Sequence, residues 1–225
     1  MMRCALGWAC WKTYLGRPET DGARIASMEQ LGIGLSQAKH DEDALSVREA
    51  ELSMKRRLGA SENSILVAQG NLANTYQELG RLQEAMCLRR DVYSGRLKLN
   101  GKEHGETIRE ASNYASTLIE LKRFAEMKPL IRKLLPVARR VLGESHEVTL
   151  KTRYFSALAL FNADGATLDD RLEAATTLED TERIARRVFG GAHPLTTGIA
   201  NSLRDARAAL RVRETPPSPP PSNTV

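Results

Sequence analysis

Apolar residues recur along most of this chain at the three- and four-residue spacing of amphipathic helices. In residues 66–79, Leu66, Leu72 and Tyr76 fall on one helical face, and polar residues occupy positions between them. Such a stripe predicts a helix that buries this face. A short break follows, and a second helical pattern then predicts another helix that ends at about Leu99. The two patterns together predict a helical hairpin.

Similar hairpins repeat along the chain at a near-constant period. The pattern G-x-x-H-x-x-T occurs three times, with steps of 42 and 47 residues, and residues 71–85 align with residues 113–127 at a step of 42. A fixed period of this size is the sequence signature of a stacked repeat architecture. The corners between hairpins are predicted to be structural turns, at Gly59, Gly101, His104, Gly143, His146, Gly190 and His193.

Charged and small residues mark where these helices end and begin. Each second helix ends in Lys or Arg followed by Gly, which complements the negative helix terminus and predicts a left-handed glycine cap. His193 before Pro194 predicts an N-cap followed by proline at the first helical position. In the fourth unit, Thr167 with Asp170 is a capping-box variant, so we expect a helix to begin at about Leu168.

His146 followed by Glu147 raises the question of a metal site. A zinc protease needs H-E-x-x-H, but Leu150 takes the place of the second histidine. Packed helices lie ~8–10 Å apart, whereas zinc needs each nitrogen at ~2.0–2.1 Å, so the corner histidines are not expected to share one ion. The sequence has no Gly-rich phosphate loop and no nucleophile elbow. We therefore predict no enzyme activity, no catalytic residue, no metal and no cofactor.

Composition agrees with helix packing and narrows the choice of partner. Apolar residues make up 41% of the chain but aromatic residues only 5%, which favours helices over a β-sandwich. The formal net charge of +5 favours an acidic partner. Cys4, Cys10 and Cys87 form no CxxC pair, so we expect a reducing, cytoplasmic setting. No apolar run approaches the ~18 residues that span a bilayer, and no membrane association is expected.

Arginine pairs recur near the ends of second helices and raise the alternative of nucleic-acid binding. The pairs are Arg56-Arg57, Arg139-Arg140 and Arg186-Arg187. Complementation of the helix dipole explains the same residues without a partner, and Asp and Glu are plentiful nearby. The basic stretches also lack aromatic residues for stacking on bases. We therefore predict a protein or peptide partner and no nucleic acid.

The second unit, LANTYQELGRLQEA followed by LNGKEHGETI, resembles the tetratricopeptide repeats of kinesin light chain and its relatives. The matching residues of this unit are Leu72, Ala73, Tyr76, Gly80, Arg81, Glu84, Ala85 and Leu88. Those of the third unit are Ala115, Arg123, Phe124, Glu126, Pro129 and Leu130. The resemblance covers about residues 16–213, and Lys122 departs from it where the third unit should have a turn glycine.

This resemblance implies an all-α fold, a right-handed α-solenoid of stacked antiparallel helix pairs whose first helices line a concave groove. Such a groove binds extended peptides or helices. The polar positions of the first helices are the candidate peptide-binding residues: Asn71, Asn74, Gln77, Arg109, Asn113, Ser116, Lys151 and Tyr154. In the family that the chain resembles, asparagines at the positions of Asn71 and Asn113 hydrogen-bond a peptide backbone. An amide suits this role because it has both a donor and an acceptor. The alternative for these residues is an ordinary solvated face.

Three segments are expected along the chain. Residues 1–16 look like the second helix of a preceding unit, residues 17–213 hold about four repeats and a C-terminal capping helix, and residues 214–225 form a Pro-rich disordered tail. Trp8 and Trp11 are expected to pack on the next unit or to remain partly exposed. We predict a scaffold or adaptor that binds a partner protein in the groove. The alternative is a structural protein that self-associates through its N-terminal half-repeat.

Overall fold

The computed structural model describes residues 2–214, with side chains for residues 7–211. Within that range the chain forms ten helices and no strand, which confirms the all-α class. The helices are α1 (Met2–Tyr14), α2 (Gly22–Gln37), α3 (Asp41–Arg57), α4 (Glu62–Glu78), α5 (Leu82–Asn100), α6 (Gly105–Glu120), α7 (Phe124–Leu142), α8 (Glu147–Phe161), α9 (Leu168–Phe189) and α10 (Pro194–Glu214). The Pro-rich tail predicted for residues 214–225 lies, after its first residue, outside the described residues.

The helices group into two compact units, of which the first ends at Lys122 and the second begins at Arg123. In the first unit α1 to α6 pack in chain order, each against the next, and α7 to α10 do the same in the second unit. Within each unit short turns join the helices, so consecutive helices there form hairpins. Each hairpin covers the apolar face of its neighbour, which is the packing of a solenoid repeat.

The core of each unit is a layer of aliphatic side chains between successive helices. In the first unit, Leu45 of α3 packs with Leu72 of α4, and Leu72 is only 4% exposed. In the second unit, Leu150 of α8, Leu178 of α9 and Ile199 of α10 are buried in one cluster. Burying a Leu or Ile side chain stabilises a fold by about 1.5–3 kcal/mol, so these layers hold the hairpins together.

The turn inside a hairpin requires a residue with positive φ. Gly80 takes this role between α4 and α5, with φ of 72°. Lys39 precedes α3 with φ of 61°, and Lys122 precedes α7 with φ of 56°. A side chain in this left-handed region costs roughly 1–2 kcal/mol, because Cβ approaches the following carbonyl oxygen. The two lysines are therefore in strained backbone conformations, at the positions where the second repeat has Gly80.

Three of the four corner glycines differ in backbone geometry from the left-handed cap that the sequence predicts, whereas Gly59 has φ of 64° and fits it. Gly101, Gly143 and Gly190 have φ between 78° and 90°, with ψ between 163° and 170°. The left-handed helical cap is therefore wrong at these corners, because that conformation needs ψ near +47°. The observed region is open almost only to glycine. Glycine is needed here to reverse the chain.

The histidines that follow these corners cap the next helix. The Nδ1 atoms of His104 and His146 each accept a hydrogen bond at 3.2 Å, from the backbone N–H two residues further on. His193 accepts the same bond from Leu195 at 3.3 Å, and α10 begins at Pro194. Each imidazole therefore acts as the N-cap of its helix, a role usually taken by Ser or Asp.

The start of α9 confirms the boundary predicted from its capping residues. The helix begins at Leu168. Asp170 donates its backbone N–H to Thr167 Oγ1 at 3.1 Å, and its carboxylate accepts the backbone N–H of Thr167 at 2.9 Å. This reciprocal pair satisfies two backbone donors at the helix start.

Candidate partner-binding surface

Three of the candidate peptide-binding residues project from α4 at helical spacing. Asn71, Asn74 and Gln77 lie three residues apart, so they share one face of the helix. Asn71 is half-buried, and its side chain makes no hydrogen bond to another described residue. Its amide therefore keeps both a donor and an acceptor for a ligand.

The equivalent face of α6 carries three more candidates. Arg109 is exposed and pairs with Glu106, and its Nε lies 3.7 Å from Glu110 Oε1. Asn113 is half-buried and donates its amide N–H to Glu110 Oε2 at 3.3 Å. Ser116 lies one turn further on and is also half-buried. The face therefore combines an exposed cation with hydrogen-bonding groups.

A buried arginine from the intervening helix joins these two faces. Arg89 of α5 is 4% exposed, and its guanidinium donates to Asn74 Oδ1. The same group lies 3.4 Å from Glu110 Oε2 on α6. Burial lowers the pKa of the Arg89 guanidinium, against the attraction of the Glu110 carboxylate. Asn113 shares that carboxylate, so α4 and α6 contribute to one polar network.

A second bridge lies further along the same helices. Gln77 of α4 donates its amide N–H to Glu120 of α6. With the Arg89 network, this bond holds the polar faces of α4 and α6 side by side. We call the resulting patch the α4–α6 surface, comprising Asn71, Asn74, Gln77, Arg109, Asn113 and Ser116.

The remaining two candidates, Lys151 and Tyr154, belong to α8 in the second unit. Lys151 lies 2.9 Å from Glu147, one turn earlier, and this hydrogen bond lowers the pKa of the Glu147 carboxyl. The Tyr154 hydroxyl is 2.9 Å from Ser202 Oγ on α10. Both side chains are half-buried, and Tyr154 fixes the contact between α8 and α10.

Sequence reasoning missed the role of Arg89. The stripe Ala85, Arg89, Val92 and Arg96 runs along the buried face of α5, so two cations stand in a core pattern. Arg48, which lies 41 residues before Arg89, is buried in the same way on α3. A cation that recurs inside the apolar stripe of successive second helices is the signal that would have found this network.

The described part of the chain contains neither a cluster of metal-binding side chains nor a membrane-spanning helix. No group of three or more His, Cys, Asp or Glu side chains within it is placed to hold a metal ion. No helix in that part is long and apolar enough to cross a membrane.

Comparison with known proteins places the fold in a defined class. Residues 65–106 match the family model of the tetratricopeptide repeat. A crystal structure from Podosopora anserina, described as kinesin light chain nearly identical TPR-like repeats, has 22% identity and a TM-score of 0.67, and the match covers 88% of this chain and 90% of that chain. No curated protein matches this sequence.

Two further solved structures share the fold. BtubC from P. vanneervenii has 14% identity and a TM-score of 0.57 over 100% of this chain and 96% of that chain. A Rap protein complexed with competence and sporulation factor has 12% identity and a TM-score of 0.55, covering 93% of this chain and 58% of that chain. The chain therefore has the solenoid fold of tetratricopeptide-repeat proteins, as predicted, and it shares this fold with the kinesin light chain-like repeats of the Podosopora anserina structure. Solenoids of this kind present extended surfaces that mediate protein–protein interaction.

Proposed function

We propose that this protein is a scaffold that binds a peptide or helix of a partner protein along the α4–α6 surface. The proposal rests on the burial and hydrogen bonding of the Asn71 and Asn113 side chains. Both amides are half-buried at equivalent positions of neighbouring first helices, and Asn71 has no hydrogen-bond partner among the described residues. A half-buried amide without a partner is suited to a peptide backbone, which has one donor and one acceptor per residue.

The surrounding groups support a ligand that carries acidic side chains. Arg109 is exposed at the edge of the surface, and its ion pairs with Glu106 and Glu110 are local ones on the same helix. The pair with Glu106 is exposed, and an exposed pair is worth only about 0–1 kcal/mol, so a ligand carboxylate can compete with Glu106 for the guanidinium. The Rap protein described above was crystallised with competence and sporulation factor, so another protein of this fold holds a second molecule.

The proposal is tested by selecting peptides from a display library against the immobilised full chain and measuring the affinity of an enriched peptide by fluorescence anisotropy. The double variant Asn71→Ala plus Asn113→Ala should weaken binding about tenfold or more, since each lost hydrogen bond is worth roughly 1 kcal/mol. Alanine favours helix, so α4 and α6 should stay folded.

Gln83→Ala serves as the matched control, because Gln83 is an exposed amide on the second helix α5. The affinity of the Gln83→Ala variant for the enriched peptide should equal that of the wild type. Equal affinity of the double variant and the wild type, with unchanged circular dichroism, would refute binding at the α4–α6 surface.

Exposed apolar side chains on and near α1 support a second candidate function, self-association through this helix. Trp8 is 42% exposed and Leu15 is 49% exposed on and just after this helix. Trp11, by contrast, packs against Leu31 and Leu35 of α2. We infer that a second copy covers Trp8. Light scattering after size exclusion should show a concentration-dependent oligomer that Trp8→Ala abolishes, and a monomer at all concentrations would rule this function out.

A further inference from the structure

A cleft in the second unit has the form of another binding site. It lies between α7 and α9, with α8 beneath it, and has a volume of about 430 Å³. The floor is apolar, since Ile131 and Leu135 of α7 face Ala159 and Leu160 of α8. Ile131 and Ala159 belong to the buried core, so the floor is rigid.

The wall formed by α7 gives the cleft its length. Lys128, Arg132, Pro136 and Arg139 line it at spacings of four, four and three residues, which is one continuous stripe of a helix. Eleven residues of helix rise about 16 Å. A cleft of this length with an apolar floor matches about three turns of a docked helix.

Positive charge is concentrated on this wall. The opposite wall, from α9, adds only Glu173 to the lining. Arg139 is paired with Glu144 at 3.3 Å. Hydrogen bonds from Thr167 lower the pKa of the Asp170 carboxyl, and the nearby charge of Lys128 lowers it further. Arg132, in the middle of the wall, is exposed and forms no ion pair with a described residue.

Pro136 adds a polar group to the same stretch of α7. Proline has no backbone N–H, so the carbonyl of Arg132 loses its intrahelical donor. This carbonyl lies on the turn that carries the Arg132 side chain. The turn at the centre of the wall therefore combines an unpaired cation with a carbonyl that lacks its usual donor four residues later.

The corresponding cleft of the first unit differs in charge. That cleft lies between α3 and α5 over α4, with a volume of about 630 Å³. Its charged lining residues are Glu49, Glu84 and Arg56, so carboxylates outnumber cations there. The corresponding cleft of the first unit therefore lacks the basic wall of the α7–α9 cleft.

We propose that the α7–α9 cleft docks an acidic amphipathic helix of a partner protein. The apolar residues of that helix lie on the floor around Leu135 and Leu160, and its carboxylates face Arg132. Charge complementarity with the α7 wall selects an acidic helix over a basic one. This site is separate from the α4–α6 surface and does not depend on it.

The probe is a fluorescein-labelled amphipathic peptide of about 18 residues, with Leu at helical spacing and Glu on one flank, long enough to form a helix. Its twin carries Lys in place of every Glu. The full chain should bind the acidic peptide about tenfold or more tightly than the twin, and the difference should shrink as salt is added.

Arg132→Glu should abolish this preference for the acidic peptide. Lys133→Glu is the matched control, because Lys133 is the exposed neighbour of Arg132 with the same charge but does not line the cleft. Lys133→Glu should keep at least half of the wild-type ratio of affinities for the acidic peptide and its twin. Ser156→Phe, at a position that lines the cleft from α8, should block binding of both peptides.

Three results would overturn the proposal: equal affinity for the two peptides, a preference that survives Arg132→Glu, or equal losses in Arg132→Glu and Lys133→Glu. The double variant of Asn71 and Asn113 should bind the acidic peptide like the wild type, so the outcome for this cleft is independent of the outcome for the α4–α6 surface.

Discussion

The ammonium of Lys55 lies 2.9 Å from Oε1 of Glu51, one turn earlier on α3, and the two side chains are 2% and 0% exposed. Arg48 approaches the same carboxylate at 3.2 Å from the other side. Glu29 of α2 accepts a further hydrogen bond from Lys55. A charged network is thus buried between the first hairpins, where an apolar layer would be the usual solution.

Removing the central carboxylate from this network should be costly. Glu51→Gln leaves Arg48 and half of the Lys55 interaction uncompensated in a buried site, so we expect a loss of about 3 kcal/mol in the free energy of unfolding. Urea denaturation followed by circular dichroism measures this loss. Glu49→Gln, an exposed substitution on the same helix, should change stability by less than about 0.5 kcal/mol. Similar effects of the two variants would show that the network is not stabilising.

The same network makes stability sensitive to high pH. Burial lowers the pKa of Lys55, but its hydrogen bonds to Glu29 and Glu51 outweigh this effect and raise the pKa above the ordinary lysine value. The folded pKa therefore lies above the unfolded one. The stabilisation is complete below the unfolded pKa and is lost as pH rises through the folded pKa.

Lys55→Met isolates this contribution from that of other groups. The difference in unfolding free energy between the wild type and Lys55→Met should be constant from about pH 7 to pH 9 and should shift in favour of the variant above about pH 10.5. A difference that stays constant through the alkaline range would contradict the ion-pair assignment. Tyrosine ionisation affects both proteins alike, so it cancels in this comparison.

The capping role of the corner histidines predicts a graded substitution series. His146→Ala removes the acceptor for the Val148 N–H and should destabilise the fold by about 1 kcal/mol. His146→Asn should restore or exceed wild-type stability, because asparagine is among the strongest N-cap residues. Thermal unfolding measures both. Equal melting temperatures for the alanine and asparagine variants would mean that the imidazole does not act as a cap.

Lys122 offers a stabilising substitution. Its φ of 56° is costly for a residue with a side chain, so Lys122→Gly should stabilise the chain by about 1 kcal/mol or slightly less. Lys122→Ala keeps the Cβ and therefore the strain, and its stability should match that of the wild type. The two variants are compared by urea unfolding. A glycine variant no more stable than the alanine variant would show that the turn is not strained.

The sequence predicts the helices better than the surfaces they form. Local signals such as Thr167 and Asp170 are enough to place the start of α9, because both partners of the cap lie within one turn. The network of Arg89 could not be derived in the same way. Its partners, Asn74 and Glu110, lie on different helices, and their contact depends on how α4, α5 and α6 pack.

The candidate residues show the same limit. Helical spacing places Asn71 and Asn113 on polar faces, but it does not distinguish an amide with a partner from one without. The structure makes that distinction, since Asn113 donates to Glu110 while the Asn71 side chain has no partner in the described region. The α7–α9 cleft was also outside the reach of periodicity, because its floor combines residues of α7 with Ala159 and Leu160 of α8.

The most direct test of the central claim is amide hydrogen exchange of the full chain with and without a peptide enriched on it. Binding at the α4–α6 surface should slow exchange in residues 62–78 and 105–120, and the Asn71→Ala plus Asn113→Ala variant should lose that protection. Protection confined to the second helices α3 and α5, or unchanged in the double variant, would contradict the account.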